Sequence, residues 1–229
     1  MRSVLGILLI TAAIAVSTHF AFQLERAGGT SFWLLATVPT LALAAGALVL
    51  ARRFDDGGAA TWMRPVWGDF TRGVVGAAIV FAGAYAASRM FAGTPRESWL
   101  ARLYLQLGDP KTLREGMAIY AVGIVVASAA EEIVWRGLVT RLLRDVVGDR
   151  WAWAAAAVPY ALAHAPTIWS LQDPEAGKNP MLVLAALGAG LVWGAMAKRF
   201  GGRLVPGILA HAMFDWVVLF TFRLFGPSV

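Results

Sequence analysis

Seven side chains in this sequence have types and spacings that could do chemistry in an apolar setting: Glu131, Glu132, Arg136, Tyr160, His164, His211 and Asp215. The stretch Ser128–Leu143, SAAEEIVWRGLVTRLL, puts two carboxylates and an arginine inside an apolar run that starts near Met117. Charged groups at membrane depth are costly and mark function by default. On a helix Glu132 lies over Arg136, about 40° away around the axis, whereas Glu131 points about 140° from that arginine. Glu132 therefore has an ion-pair partner built in. Glu131 has none, and must find compensation on another helix, stay protonated, or hold something in a cavity. His211 and Asp215 are four apart and share a helix face, as do Tyr160 and His164. Acids and imidazoles placed this way serve acid–base catalysis or proton relay.

The elements that must position them are membrane helices. Of 229 residues 59% are hydrophobic and 15% charged, and the mean hydropathy is +0.64, too apolar for an ordinary soluble domain. The expected fold is an all-α polytopic membrane helix bundle, one integral-membrane domain over 1–229 with about seven spans, within a range of six to eight. The apolar runs are Val4–Phe22, Phe32–Leu50, Val74–Ala92, Met117–Leu143, Trp151 to about Ile168, Pro180–Ala197 and Leu204–Leu224. The first could be a cleaved signal peptide, but its length and the lack of a small-residue cleavage site favour a retained helix. The segment SWLARLYLQL reads as an amphipathic helix lying in the membrane interface, with Trp99, Leu100, Leu103 and Leu107 on its buried side. Residues 1–92 supply the N-terminal helices and 117–224 the core with the polar residues.

The net charge is +6, yet the basic residues sit between the apolar runs, as anchoring to lipid headgroups requires. No basic cluster is interleaved with aromatics on a polar face, so nucleic acid is not an expected partner. The absence of cysteine excludes disulfides, thiol nucleophiles and Cys-based metal sites. With seven alternating spans, the N-terminus and the second, fourth and sixth connections share one side. They carry Arg2, Arg52, Arg53, Arg64, Arg72, Arg141, Arg144, Arg150, Lys198, Arg199 and Arg203, which points to the cytoplasm. Counted from that side at about 1.5 Å per residue, Glu131, His164, His211 and Asp215 lie about 12 to 20 Å deep. Four polar residues from three helices thus fall in one slab near the midplane. Packing alone does not explain gathering them there.

The motifs Glu131-Glu132-x-x-x-Arg136-Gly137, Tyr160-x-x-x-His164 and His211-x-x-x-Asp215 resemble the three signatures of the CAAX-protease and bacteriocin-processing (CPBP, or Abi) family of intramembrane endopeptidases. The resemblance covers roughly Ser128 to Val217. Tyr160 stands where that family more often has Phe, and Asp215 where it takes Asn or Asp. The resemblance implies hydrolysis of a peptide bond in a membrane-associated peptide or protein. Hydrolysis needs a base for water, donors for the oxyanion and an acid for the leaving amine. On this pattern Glu131 is the general base, His164 helps hold the water, and His211 donates to the oxyanion with Asp215 fixing its tautomer or joining the site. Glu132 and Arg136 form a supporting structural pair, and Tyr160 packs. No Ser or Thr stands at nucleophile spacing from a histidine, which argues against a covalent intermediate.

No cofactor is required on this reading. Glu131, His164, His211 and Asp215 nonetheless form a nitrogen and oxygen set acceptable to zinc, without an HExxH helix to strengthen that alternative. Two further readings are a catalytically silent binding or immunity protein of the same fold, and a small proton-coupled transporter. The second predicts internal twofold symmetry, which the sequence does not show. The Ala-, Gly- and Arg-rich composition suggests a bacterial cell-membrane protein; substrate identity and oligomeric state are not encoded legibly.

Overall fold

The computed structural model describes residues 1–225. It is an all-helical bundle, and among the described residues there is no β-strand. Among the described residues five helices are long and apolar enough to cross a membrane: α1 (Arg2–Ala21), α2 (Thr30–Arg53), α3 (Asp69–Phe91), α5 (Met117–Val147) and α7 (Met181–Arg199). Two apolar helices are shorter, α6 (Ala152–Ala163) and α8 (Val205–Thr221). Between α3 and α5 lies α4 (Ser98–Leu107). Large apolar side chains such as Leu8, Val49, Val75 and Val122 stay exposed, as lipid contact requires. The inner faces use small residues for close approach. A Cβ at Gly73 would sit 2.7 Å from the Leu209 side chain, so α3 and α8 run almost backbone to backbone.

The interior centres on α5. Every residue from Ile133 to Val139 is buried, and this stretch winds as a π-helix. The wider turn frees carbonyls that need new donors. Thr140 Oγ1 donates to the Trp135 carbonyl at 2.9 Å, and Arg141 Nη1 donates to those of Arg136 and Gly137 at 3.1 and 3.0 Å. A second π turn, Val217–Thr221, ends α8 two residues after Asp215.

One end of the bundle collects the basic connections. Ser3 donates to Asp145 at 2.8 Å, Arg141 pairs with Asp55 at 2.7 Å, Arg203 with Asp69 at 2.6 Å, and Lys198 with Asp149. The N-terminus and the connections around residues 54–68, 148–151 and 200–204 therefore meet there, as alternating spans require. At the other end α4 turns its inner side onto protein. Gln106 Nε2 donates to the Ala21 carbonyl at 3.1 Å and Tyr104 Oη to that of Val218 at 2.8 Å. Trp99 and Leu100 are buried there, while Leu105 stays exposed.

The fifth apolar run departs from expectation. It does not continue to Ile168: α6 stops at Ala163 and a separate turn covers Thr167–Ser170. Twelve residues reach only about 18 Å, short of a ~30 Å hydrocarbon core. Pro159 removes a donor inside the helix, and Pro166 disfavours helical backbone just before it. His164 consequently sits at a helix end partway through the bundle.

Candidate functional site

Glu131 and Glu132 leave α5 in different directions. Glu132 is 1% exposed, and its Oε1 lies 3.1 Å from Arg136 Nη1 and 3.3 Å from His211 Nδ1. Its Oε2 has no hydrogen-bond partner among the described residues, and a Cβ at Gly207 would lie 3.0 Å from that oxygen. The Arg136 guanidinium rests over the rings of Tyr160 and Trp193, 4.5 and 5.2 Å from their centroids. The ion pair anticipated from the i, i+4 spacing is thus present, and it holds an extra member, His211 from α8.

Glu131 finds its compensation on α6. Tyr160 Oη donates to Glu131 Oε2 at 2.9 Å, so this tyrosine does more than pack. His211 Nε2 stands 4.0 Å from the same carboxylate oxygen and 3.5 Å from Asp215 Oδ2. The side of His211 away from Glu132 therefore looks at two acids. Asp215 is on the Nε2 side, which leaves Glu132 as the group that meets Nδ1. His164 hydrogen-bonds only locally: its Nδ1 donates to the Tyr160 carbonyl at 2.9 Å, and its ring meets Tyr160 edge-on at 5.0 Å. Because a carbonyl can only accept, Nε2 of a neutral His164 is left as an acceptor. His164 makes no hydrogen bond or ion pair with Glu131, His211 or Asp215. His19 sits apart on α1, beside Gln23.

Glu131, Tyr160, His164, His211 and Asp215 all line one cavity of about 1280 Å³. It runs from this cluster toward the end of the bundle opposite the basic connections, past Thr37 of α2, Val80 of α3 and Leu103 of α4. Its walls are mainly apolar and the cluster forms its polar end. Among the described residues no three His, Asp or Glu side chains converge as a metal ion requires. The imidazole and carboxylates of the cluster face one another instead.

Trp193 was invisible to the reading of motifs. Its indole stacks on His211 with ring centroids 3.8 Å apart and planes 21° from parallel. The available signal was a tryptophan inside an apolar span, away from the headgroup belts where membrane tryptophans concentrate.

Residues 114–217 match the family model described as type II CAAX prenyl endopeptidase Rce1-like, and this stretch contains every polar member of the cluster. No curated protein and no solved structure matches the chain. The polar cluster thus lies in a stretch of a membrane-embedded helix bundle that is similar to the Rce1-like type II CAAX prenyl endopeptidases.

Proposed function

We propose that the protein hydrolyses a peptide bond of a membrane-associated peptide or protein by activating water with Glu131. The observation that carries this reading is the convergence of Glu131, Tyr160, His211 and Asp215 at the polar end of a large apolar cavity. Glu131 takes a proton from water, and the Nε2 acceptor of His164 steadies the same water. The hydroxide attacks the scissile carbonyl carbon, whose oxygen becomes an oxyanion. Acceptors face both nitrogens of His211, and a proton held at Nε2 makes that nitrogen a donor toward the cavity. Nε2–H is then available to the oxyanion, one such donor being worth about 10²–10³-fold. Glu131 passes its proton to the leaving nitrogen as the C–N bond breaks. Tyr160 aims Glu131, and Glu132 with Arg136 holds Nδ1 of His211. The side chains themselves supply base, donor and acid. We place the basic end of the bundle, with the N-terminus, in the cytoplasm of the cell membrane.

The test is cleavage in liposomes of membrane-anchored peptides, one with a prenylated CAAX terminus and others with apolar single spans. Wild type and Glu131→Gln are compared with and without a strong chelator. The expected outcome is cleavage by wild type, insensitive to chelator, and a fall of at least about 10³-fold in the folded Gln variant. Equal product from both proteins would remove Glu131 as the base, and loss of wild-type activity with chelator would bring in a metal.

A further inference from the structure

We infer that Trp193 is a positioning residue of this site, holding the His211 imidazole in the plane that turns Nδ1 to Glu132 and Nε2 to Asp215 and the cavity. The inference rests on the role of His211 proposed above. It starts from the weakness of the ring's other restraints. A histidine's second torsion has a broad, soft profile. Charge-assisted hydrogen bonds run at about 2.7–2.9 Å. His211 has none that short: its nitrogens stand 3.3 Å from Glu132, 3.5 Å from Asp215 and 4.0 Å from Glu131. Contacts of that length hold Nδ1 loosely and leave the ring room to swing. The face-on indole at 3.8 Å does not, because rotation would drive the imidazole edge into it.

Trp193 is itself tightly held. It is 2% exposed, and the Arg136 guanidinium lies over its ring. Glycines flank it on α7, letting the helix backbone press against α6. A Cβ at Gly194 would meet the Trp153 carbonyl at 2.6 Å, and one at Gly190 would meet Tyr160 and Ala157 at 3.1 Å. Among the described residues the buried indole N–H has no hydrogen-bond partner. An unpaired buried donor is a penalty that a leucine or phenylalanine would avoid if filling space were the only task. A large flat face set against a histidine accounts for its presence.

The experiment compares wild type, Trp193→Phe and Trp193→Leu in nanodiscs. Carbethoxylation by diethyl pyrocarbonate is followed by mass spectrometry at His211, with exposed His19 and cavity-lining His164 as references. In Trp193→Leu the rate at His211 relative to His19 rises roughly tenfold, the equivalent of losing one aromatic pair, and His164 does not change. In Trp193→Phe, which keeps a flat ring, it stays within about threefold of wild type. On a cleaved peptide Trp193→Leu lowers kcat about 10²-fold, as slight misplacement of a reacting group does, while KM holds and Trp193→Phe recovers most of the rate. An unchanged His211 rate in Trp193→Leu, or an equal rise at His164, overturns the inference. The labelling needs no turnover, so if no peptide is cleaved it still decides the role of Trp193 while the protease reading falls by itself.

Discussion

Two neighbouring regions, centred on consecutive residues, treat a carboxylate in opposite ways. Around Glu132 the site is closed: arginine, histidine and the backbone of Gly207 surround it, and its side chain is 1% exposed. Around Glu131 the site is open: one tyrosine hydroxyl meets it, His211 Nε2 stands 4.0 Å off, and its side chain is 26% exposed to the cavity it lines. One step along α5 separates a buried ion pair from a carboxylate that faces the cavity. His211 belongs to both regions, with one nitrogen in each. On the proposed mechanism this arrangement explains how a reactive carboxylate is kept in place: the adjacent carboxylate, paired with Arg136, fixes the helix that carries it.

The strongest way to break the comparison is to strip the closed side. Arg136→Met leaves Glu132 buried without its cation and is expected to destabilise the protein by about 3–5 kcal/mol. Thermal unfolding in detergent measures it. Joint replacement, Glu132→Leu with Arg136→Met, should recover much of the stability but not the activity, since His211 then has nothing at Nδ1. The open side should behave in reverse, Glu131→Gln melting within a few degrees of wild type while inactive. If Arg136→Met is as stable as wild type, the division between a structural and a reactive glutamate fails.

Gly207 sharpens the boundary between the regions. Alanine inside a helix normally gains up to about 1 kcal/mol over glycine. Here the added methyl would stand 3.0 Å from Glu132 Oε2. Crowding in a packed interior costs about 1–3 kcal/mol, so Gly207→Ala should lose stability and push Glu132 off His211. A smaller effect is expected on the open side. Tyr160→Phe deletes the hydroxyl that meets Glu131 and keeps the ring under Arg136. A hydrogen bond to a charged group is worth about 1.5–3 kcal/mol, much of which solvent in the cavity can replace, so kcat should fall roughly tenfold with little change in melting temperature. A larger stability loss than activity loss would make Tyr160 a packing residue after all.

How far these regions were legible in the sequence follows from the range of each interaction. Apolar run length and i, i+4 spacing are local, so the spans, the Glu132–Arg136 pair and the separate direction of Glu131 could be read directly. The depth count could bring Glu131, His211 and Asp215 into one slab because straight helices keep a steady rise. It was less apt for His164, whose helix breaks at two prolines. What could not be read depends on angles between helices. Nothing in the apolar span carrying Trp193 shows that it faces His211, and the same holds for the Glu132 contact across from α8. The π turn at Ile133–Val139 was hidden as well, since its substitute donors, Thr140 and Arg141, look like ordinary residues of a helix end.

The last comparison runs along α5, from the buried pair to the exposed end. Arg141 repeats the closed design two turns from the site, pairing with Asp55 at 2.7 Å and lying over the Trp62 ring at 4.3 Å. Here, however, water reaches the acid. Burial alone would push the Asp55 carboxyl up, but the Trp62 N–H and the Arg141 guanidinium outweigh it and hold it below the usual carboxylate range. A depressed folded value means the pair's stabilisation is present above about pH 4, where the unfolded carboxyl ionises, and is lost as pH falls through the folded value. Asp55→Asn should therefore lower stability at pH 7 by about 0.5–1 kcal/mol, the small figure reflecting solvent screening. It should also flatten the decline of melting temperature between about pH 4 and pH 3, because the group that titrates there is gone. Activity at neutral pH should hardly move. If Asp55→Asn instead abolished cleavage while the protein stayed folded, the end of α5 would be coupled to Glu131 as tightly as Arg136 is, and the division between a local lock and a free base would have to extend over the whole helix.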